Sequence, residues 1–169
     1  MNFPEKFYSA SSEMNTYEKH IAAPFIRKTF DAVNIKKAVI RVCGLGFYEL
    51  FINGKKITKG LLAPYISNPD DIVYFDDYDI TTELTEGKNA LGLILGNGMQ
   101  NAPGGRVWDF DIARFRGVPR FSLALELTDR DGNATVINAD ESFRWHPSHI
   151  LFDDLRSGVF ADMTRYISD

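Results

Sequence analysis

The chain has 169 residues, with 19 Lys and Arg against 23 Asp and Glu, and a formal net charge of −4. With no basic stretch to track phosphates, that balance argues against a nucleic-acid partner. At 44% apolar and 25% charged residues the chain can bury one ordinary core, and it is excluded from the disordered and collagen-like classes. No apolar run approaches the roughly 20 residues of a membrane span. The first ten residues carry Pro4, Glu5 and Lys6, so no signal peptide is visible and the cellular location stays open. The single cysteine, Cys43, removes any intrachain disulfide and any cysteine-based zinc site.

Residues 1–24 lack alternation and are expected to form a lead-in over a sheet edge, with Ser11–His20 able to form a turn or two of helix. From Phe25 onward, period two dominates. Ala38–Cys43 and Phe47–Asn53 are rich in β-branched and aromatic residues and are separated by Gly44-Leu45-Gly46. Asn53-Gly54 then predicts a type I′ hairpin turn, and Asp131-Gly132 is expected to do the same further on. Val73–Ile80 reads as a strand, Thr81–Leu84 as a short turn, and Ala90–Leu95 as a central strand apolar on both faces. Phe121–Thr128 alternates most cleanly, with Phe121, Leu123, Leu125 and Leu127 on one face. Trp108–Ile112, Val136–Asn138 and Phe143–Trp145 add shorter strands. Many short strands at spacings of about 8 to 12 residues give an all-β sandwich or jelly roll.

Several residue groups invite chemistry. Gly44-Leu45-Gly46 and Gly96-Asn97-Gly98 follow strands, but no helical pattern stands behind them to cradle a phosphate, so they read as bends or close backbone approaches. His146 and His149 flank Pro147 and lack a third ligand at a defined spacing, which makes them loop histidines before a metal pair. Cys43 closes a strand and reads as a small buried hydrophobe. Asp76, Asp77 and Asp79, then Asp109 with Asp111, then Asp153 with Asp154 could form a solvated acidic rim or supply oxygen ligands to a calcium ion. No motif among them places a catalytic acid and base. The most loop-like segment runs from Gly96 to Trp108, and its Asn97, Gln100, Asn101, Arg106 and Trp108 have the amide, guanidinium and indole chemistry of a sugar site.

The ordered set Gly44–Lys55, Leu62-Ala63-Pro64, Tyr78–Thr81, Glu86–Ala90 and Gly96–Gly98 resembles the N-terminal β-sandwich module of bacterial α-L-rhamnosidases. Asp140–Phe143 and the stretch from Asp154 to Arg165 extend the likeness, so that it covers nearly the whole chain from Phe25. Two departures stand out: Met99 replaces the aromatic that usually follows Gly-Asn-Gly, and Phe160–Met163 replaces Tyr-Asp-Ala-Arg. The resemblance implies a jelly-roll module of the galactose-binding type, residues 25–169, beside a separate (α/α)₆-barrel catalytic domain of the same polypeptide. It implies no catalytic residue here, no required cofactor, rhamnoside carbohydrate as partner, and in some members calcium at the sugar site. The aromatic expected after Leu-Ala-Pro is met by Tyr65, which joins Trp108 as a sugar platform. A free-standing, lectin-like carbohydrate-binding domain is the alternative.

Overall fold

The computed structural model describes residues 4–103 and 108–166. Two antiparallel sheets face each other as a jelly-roll sandwich. One sheet contains β1 (Pro24–Ala32), β3 (Phe47–Ile52), β4 (Lys55–Lys56), β6 (Gly87–Gly96) and β9 (Arg144–Pro147), in the order β4-β3-β6-β1-β9. The other contains β2 (Ile35–Leu45), β5 (Asp76–Asp79), β7 (Arg120–Asp129) and β8 (Ala134–Asn138), in the order β5-β2-β7-β8. A separate hairpin pairs β10 (Ile150–Asp154) with β11 (Gly158–Ala161).

Alternation puts the core between the sheets. Ile40 and Val42 of β2 and Leu123 and Leu125 of β7 face Leu50 and Ile52 of β3 and Leu91 and Leu93 of β6, all buried. Each such side chain contributes about 1.5–3 kcal/mol by leaving water. Tyr48 of β3 is buried too, and its hydroxyl reaches across the sandwich to the Asp76 carboxylate and, at 3.0 Å, to Tyr78 Oη of β5. A buried phenol needs such partners, and here they tie one sheet to the other.

The chain changes sheets at Gly46, between β2 and β3, with φ +101. A Cβ at Gly46 would lie 2.4 Å from the Gly96 carbonyl oxygen, so the two glycine-rich stretches meet as a close backbone approach.

Some expectations change. Asn53 and Gly54 both take positive φ, as a type I′ turn requires, but only Gly132 of the second pair does. There the Asp129 carboxylate accepts from the Asp131 and Asn133 N–H groups and shapes a longer loop. Trp108–Ile112 is not a strand: Asp109 sits at φ 45 and Phe110–Ile112 form a 3₁₀ turn. Ser11–His20 contains no helix, its polar side chains instead bonding local backbone, as Thr16 Oγ1 does to Lys19 N at 3.0 Å. In the lead-in, Tyr8 exchanges backbone hydrogen bonds with Phe121 at 2.8 and 2.9 Å, and Ser122 Oγ donates to the Pro4 carbonyl. Among the described residues no helix is long and apolar enough to cross a membrane.

Candidate functional site

Where β6 ends, the chain turns through Asn97–Asn101 and closes on itself, Asn101 N donating to the Asn97 carbonyl at 3.1 Å. Asn97, Gln100 and Asn101 are all buried, and their partners show why. Asn97 donates to Asp153 of β10 from its backbone at 2.7 Å and from its side chain at 2.8 Å. Asn101 Nδ2 donates to Asn97 Oδ1 at 2.8 Å, while Asn101 Oδ1 accepts from Asn15 N at 3.2 Å. Asn15 Oδ1 accepts from Ile21 N at 2.7 Å, extending the network into the lead-in. Two of the three amides expected to meet sugar therefore hold the loop together.

Gln100 differs. Its Nε2 donates to the Phe115 carbonyl at 2.7 Å, but its Oε1 is buried with no hydrogen-bond partner among the described residues. A buried amide oxygen left unpaired carries a desolvation cost of about 1–3 kcal/mol. Gln100 lines a cleft at this end of the sandwich together with Tyr65, Met99 and Phe115. Tyr65 is 84% exposed at its rim, a ring with little protein against it. Trp108, 50% exposed, lies outside this cleft, tilted against Phe110 with ring centroids 5.4 Å apart and beneath the Arg156 guanidinium at 5.8 Å. Arg106 falls outside the described residues. The structure thus joins Tyr65 to Gln100, and joins Asn97 to Asn101 through Asp153, while Trp108 stands apart.

Among the described residues no three His, Cys, Asp or Glu converge as a metal group. Asp77 is bound by Arg41 Nε and Nη2 at 2.7 and 2.6 Å, and that hydrogen bonding holds its carboxyl below the usual range. Asp79 accepts from Thr81 N and Oγ1 and is likewise lowered. Both Asp153 oxygens are taken by Asn97. Burial pushes the Cys43 thiol up to about 12, so it is not a thiolate nucleophile. His146 lies on β9 and His149 just beyond it, and His146 Nδ1 donates to the Pro147 carbonyl at 2.7 Å.

From sequence, Asp153 with Asp154 reads as part of an acidic rim or as calcium ligands; the structural role of the half-buried Asp153 as the acceptor for Asn97 was missed. No local pattern signals it: Ile150–Asp154 does not alternate, and Asp153 lies 56 residues from Asn97.

The sequence profile described as the alpha-L-rhamnosidase N-terminal domain matches residues 33–169. Over 154 residues the chain is 36% identical to an alpha-L-rhamnosidase of Formosa agariphila, an alignment that covers 88% of this chain and 16% of that protein. It is similar to the crystal structure of Streptomyces avermitilis alpha-L-rhamnosidase complexed with L-rhamnose, with a TM-score of 0.79 and 25% identity over 87% of this chain and 14% of that one. A Pleurotus ostreatus lectin in complex with GalNAc shares the fold at a TM-score of 0.53 and 16% identity, covering 94% of this chain and 40% of the lectin. The chain spans less than a fifth of the length of the rhamnosidases it matches.

Proposed function

This chain belongs to the alpha-L-rhamnosidase N-terminal domain family, and from that premise we propose that it is a non-catalytic module of a longer α-L-rhamnosidase. In this reading residues 25–169 are the module and residues 1–24 its lead-in. The module packs on the catalytic domain of the same polypeptide and binds rhamnose-containing carbohydrate at the loop end of the sandwich.

The observation that carries the binding reading is Gln100 lining the cleft beside the exposed Tyr65 ring, its buried Oε1 without a hydrogen-bond partner among the described residues. A 6-deoxy sugar offers hydroxyl donors for the amide oxygen and a methyl group with a C–H face for the ring. The L-rhamnose named with the Streptomyces avermitilis structure supports that choice of sugar. The absence of catalysis is supported by Asp77, Asp79 and Asp153, whose oxygens are engaged by Arg41, Thr81 and Asn97 and are not free to act as acid and base. Packing on a second domain is supported by Val159, Phe160 and Met163, each an exposed large apolar side chain on β11 or the turn after it.

Titration of the 169-residue chain with L-rhamnose, followed by amide chemical shifts, tests the reading. Millimolar binding, about −4 kcal/mol, is expected, with the largest shifts around Gln100 and a loss of about tenfold or more in Tyr65→Ala. Binding unchanged in Tyr65→Ala would remove the site. Turnover of an aryl rhamnoside by this chain alone would overturn the non-catalytic assignment.

A further inference from the structure

The outward face of the five-stranded sheet contains a second groove that shares no lining residue with the Tyr65 cleft. Strand register builds it. Gly92 of β6 stands between Phe51 of β3 and Arg27 of β1. In the next row Ile94 stands beside Phe25, which in turn pairs with His146 of β9. These residues have the opposite phase to the buried Ile26, Leu50 and Leu93, so they leave the core.

Gly92 opens the groove: a Cβ there would sit 3.0 Å from Phe25 Cε2 and 3.6 Å from Phe51 Cβ. The Phe25 ring is braced edge-on by His146 at a centroid distance of 5.3 Å. On the far wall His149 packs edge-on against Tyr166 at 5.0 Å, beside Arg165. Although acids outnumber bases in the chain, no carboxylate among the described residues lines this groove, whereas Arg27, Arg165, His146 and His149 all do. Arg165 is engaged by Asp162 at 3.1 Å. Arg27 is exposed and makes no ion pair or side-chain hydrogen bond among the described residues.

We propose that this groove binds a hexuronate, a pyranose carrying a carboxylate, through its C–H face on Phe25 and Phe51 and its carboxylate on the Arg27 guanidinium. The chemistry follows from what is placed together. Aromatic rings without hydrogen-bonding tips suit the apolar face of a pyranose. A permanently charged planar donor suits a carboxylate, which it can take with two parallel N–H bonds. A neutral sugar would stack equally well but leave that donor to water. The site extends the carbohydrate-binding reading above and shares none of its residues, so the two can fail separately.

The test is a titration of the 169-residue chain at low salt with D-galacturonate, D-glucuronate, their neutral counterparts D-galactose and D-glucose, and an oligogalacturonate, each followed by amide shifts. The uronates are expected to move the Arg27, Phe51 and Gly92 amides, with the neutral sugars at least about tenfold weaker. Arg27→Gln, a surface change, should abolish that preference while leaving L-rhamnose shifts near Gln100 in place. In the unaltered chain, about 0.5 M salt should weaken uronate but not neutral-sugar binding. A tighter oligomer would identify a polysaccharide residue as the ligand, and equal affinity a free uronate; either supports the site. The proposal is overturned by equal affinity for acid and neutral sugars, by a preference that survives Arg27→Gln, or by no groove shifts at about 50 mM uronate. Silence in the groove while rhamnose still moves the Gln100 region would refute this site and leave the first standing.

Discussion

One carboxylate takes both hydrogen-bonding edges of one asparagine: Asn97 N donates to Asp153 Oδ1 at 2.7 Å, and Asn97 Nδ2 donates to Asp153 Oδ2 at 2.8 Å. The pair fastens the end of β6 to the β10–β11 hairpin. Through Asn101 and Asn15 it also fastens the lead-in to the same loop. Neutral donors from one asparagine hold a half-buried carboxylate, and they tie this end of the loop to the hairpin.

Asn97→Ala keeps the backbone donor to Asp153 Oδ1 but removes the side-chain donor to Oδ2 and leaves Asn101 Nδ2 without its acceptor, so it should cost about 1–3 kcal/mol. Urea unfolding monitored by tryptophan fluorescence measures this. A loss below about 0.5 kcal/mol would mean that water replaces the asparagine at no penalty.

The same pair gives a pH dependence of defined sign. Burial raises the Asp153 carboxyl above its ordinary value of 3.8, the nearby Asp154 charge adds to this, and the Asn97 hydrogen bonds oppose it. The folded state holds this proton more tightly than the unfolded chain. Stability from this group is thus full below 3.8 and is lost as pH rises through the folded value. Asp153→Asn does not titrate there, so its stability relative to the unaltered chain should improve between about pH 3 and pH 7. Paired thermal melts across that range check it, and a difference that stays flat or declines would contradict it.

The Arg41–Asp77 pair behaves oppositely. It joins directly opposed residues of β2 and β5, with the Arg41 guanidinium also 4.6 Å from the Phe75 ring centroid. The Arg41 hydrogen bond holds the Asp77 carboxyl low, so the stability it contributes is present above 3.8 and is lost as pH falls through the folded value. With the Asp77 side chain 42% exposed, solvent screening limits the loss in Asp77→Asn to about 0.5–1 kcal/mol at neutral pH. The deficit should shrink in about 0.5 M salt and vanish in acid. Denaturation at matched pH and salt separates these outcomes.

The sandwich was legible where alternation is long. Phe121–Thr128 and Phe47–Asn53 show which side chains face inward, and both lie in strands whose inner residues are buried. Trp108–Ile112 misled for the same reason: W-D-F-D-I alternates perfectly, yet a left-handed Asp109 and a 3₁₀ turn use it differently. The β10–β11 hairpin is too short for its periodicity to register. At the loop, sequence shows which amides are available but not where they point. Asn97 finds its partner 56 residues away and Asn101 its partner 86 residues away, separations that no local pattern encodes. Phe25 and Phe51 fall in the outward phase of their strands, and an aromatic in the wet phase is the usable signal for the groove.

Gly46 offers the sharpest steric test, because a matched control exists in the same chain. Gly46 has φ +101 and Gly132 has φ +90, so alanine at either meets the same kind of backbone strain. Their surroundings differ: a Cβ at Gly132 meets nothing within 4 Å, whereas one at Gly46 falls 2.4 Å from the Gly96 carbonyl oxygen and 3.2 Å from that of Asn97. Gly132→Ala should cost about 1–2 kcal/mol from backbone strain alone. Gly46→Ala should cost at least about 2 kcal/mol more, since both atoms it strikes are backbone and moving them shifts the Asn97 clamp. Urea midpoints of the two variants give the difference directly. Equal costs would show that the β2–β3 corner can open without disturbing the turn after β6, and that the close approach of the two glycine stretches is not what fixes the loop.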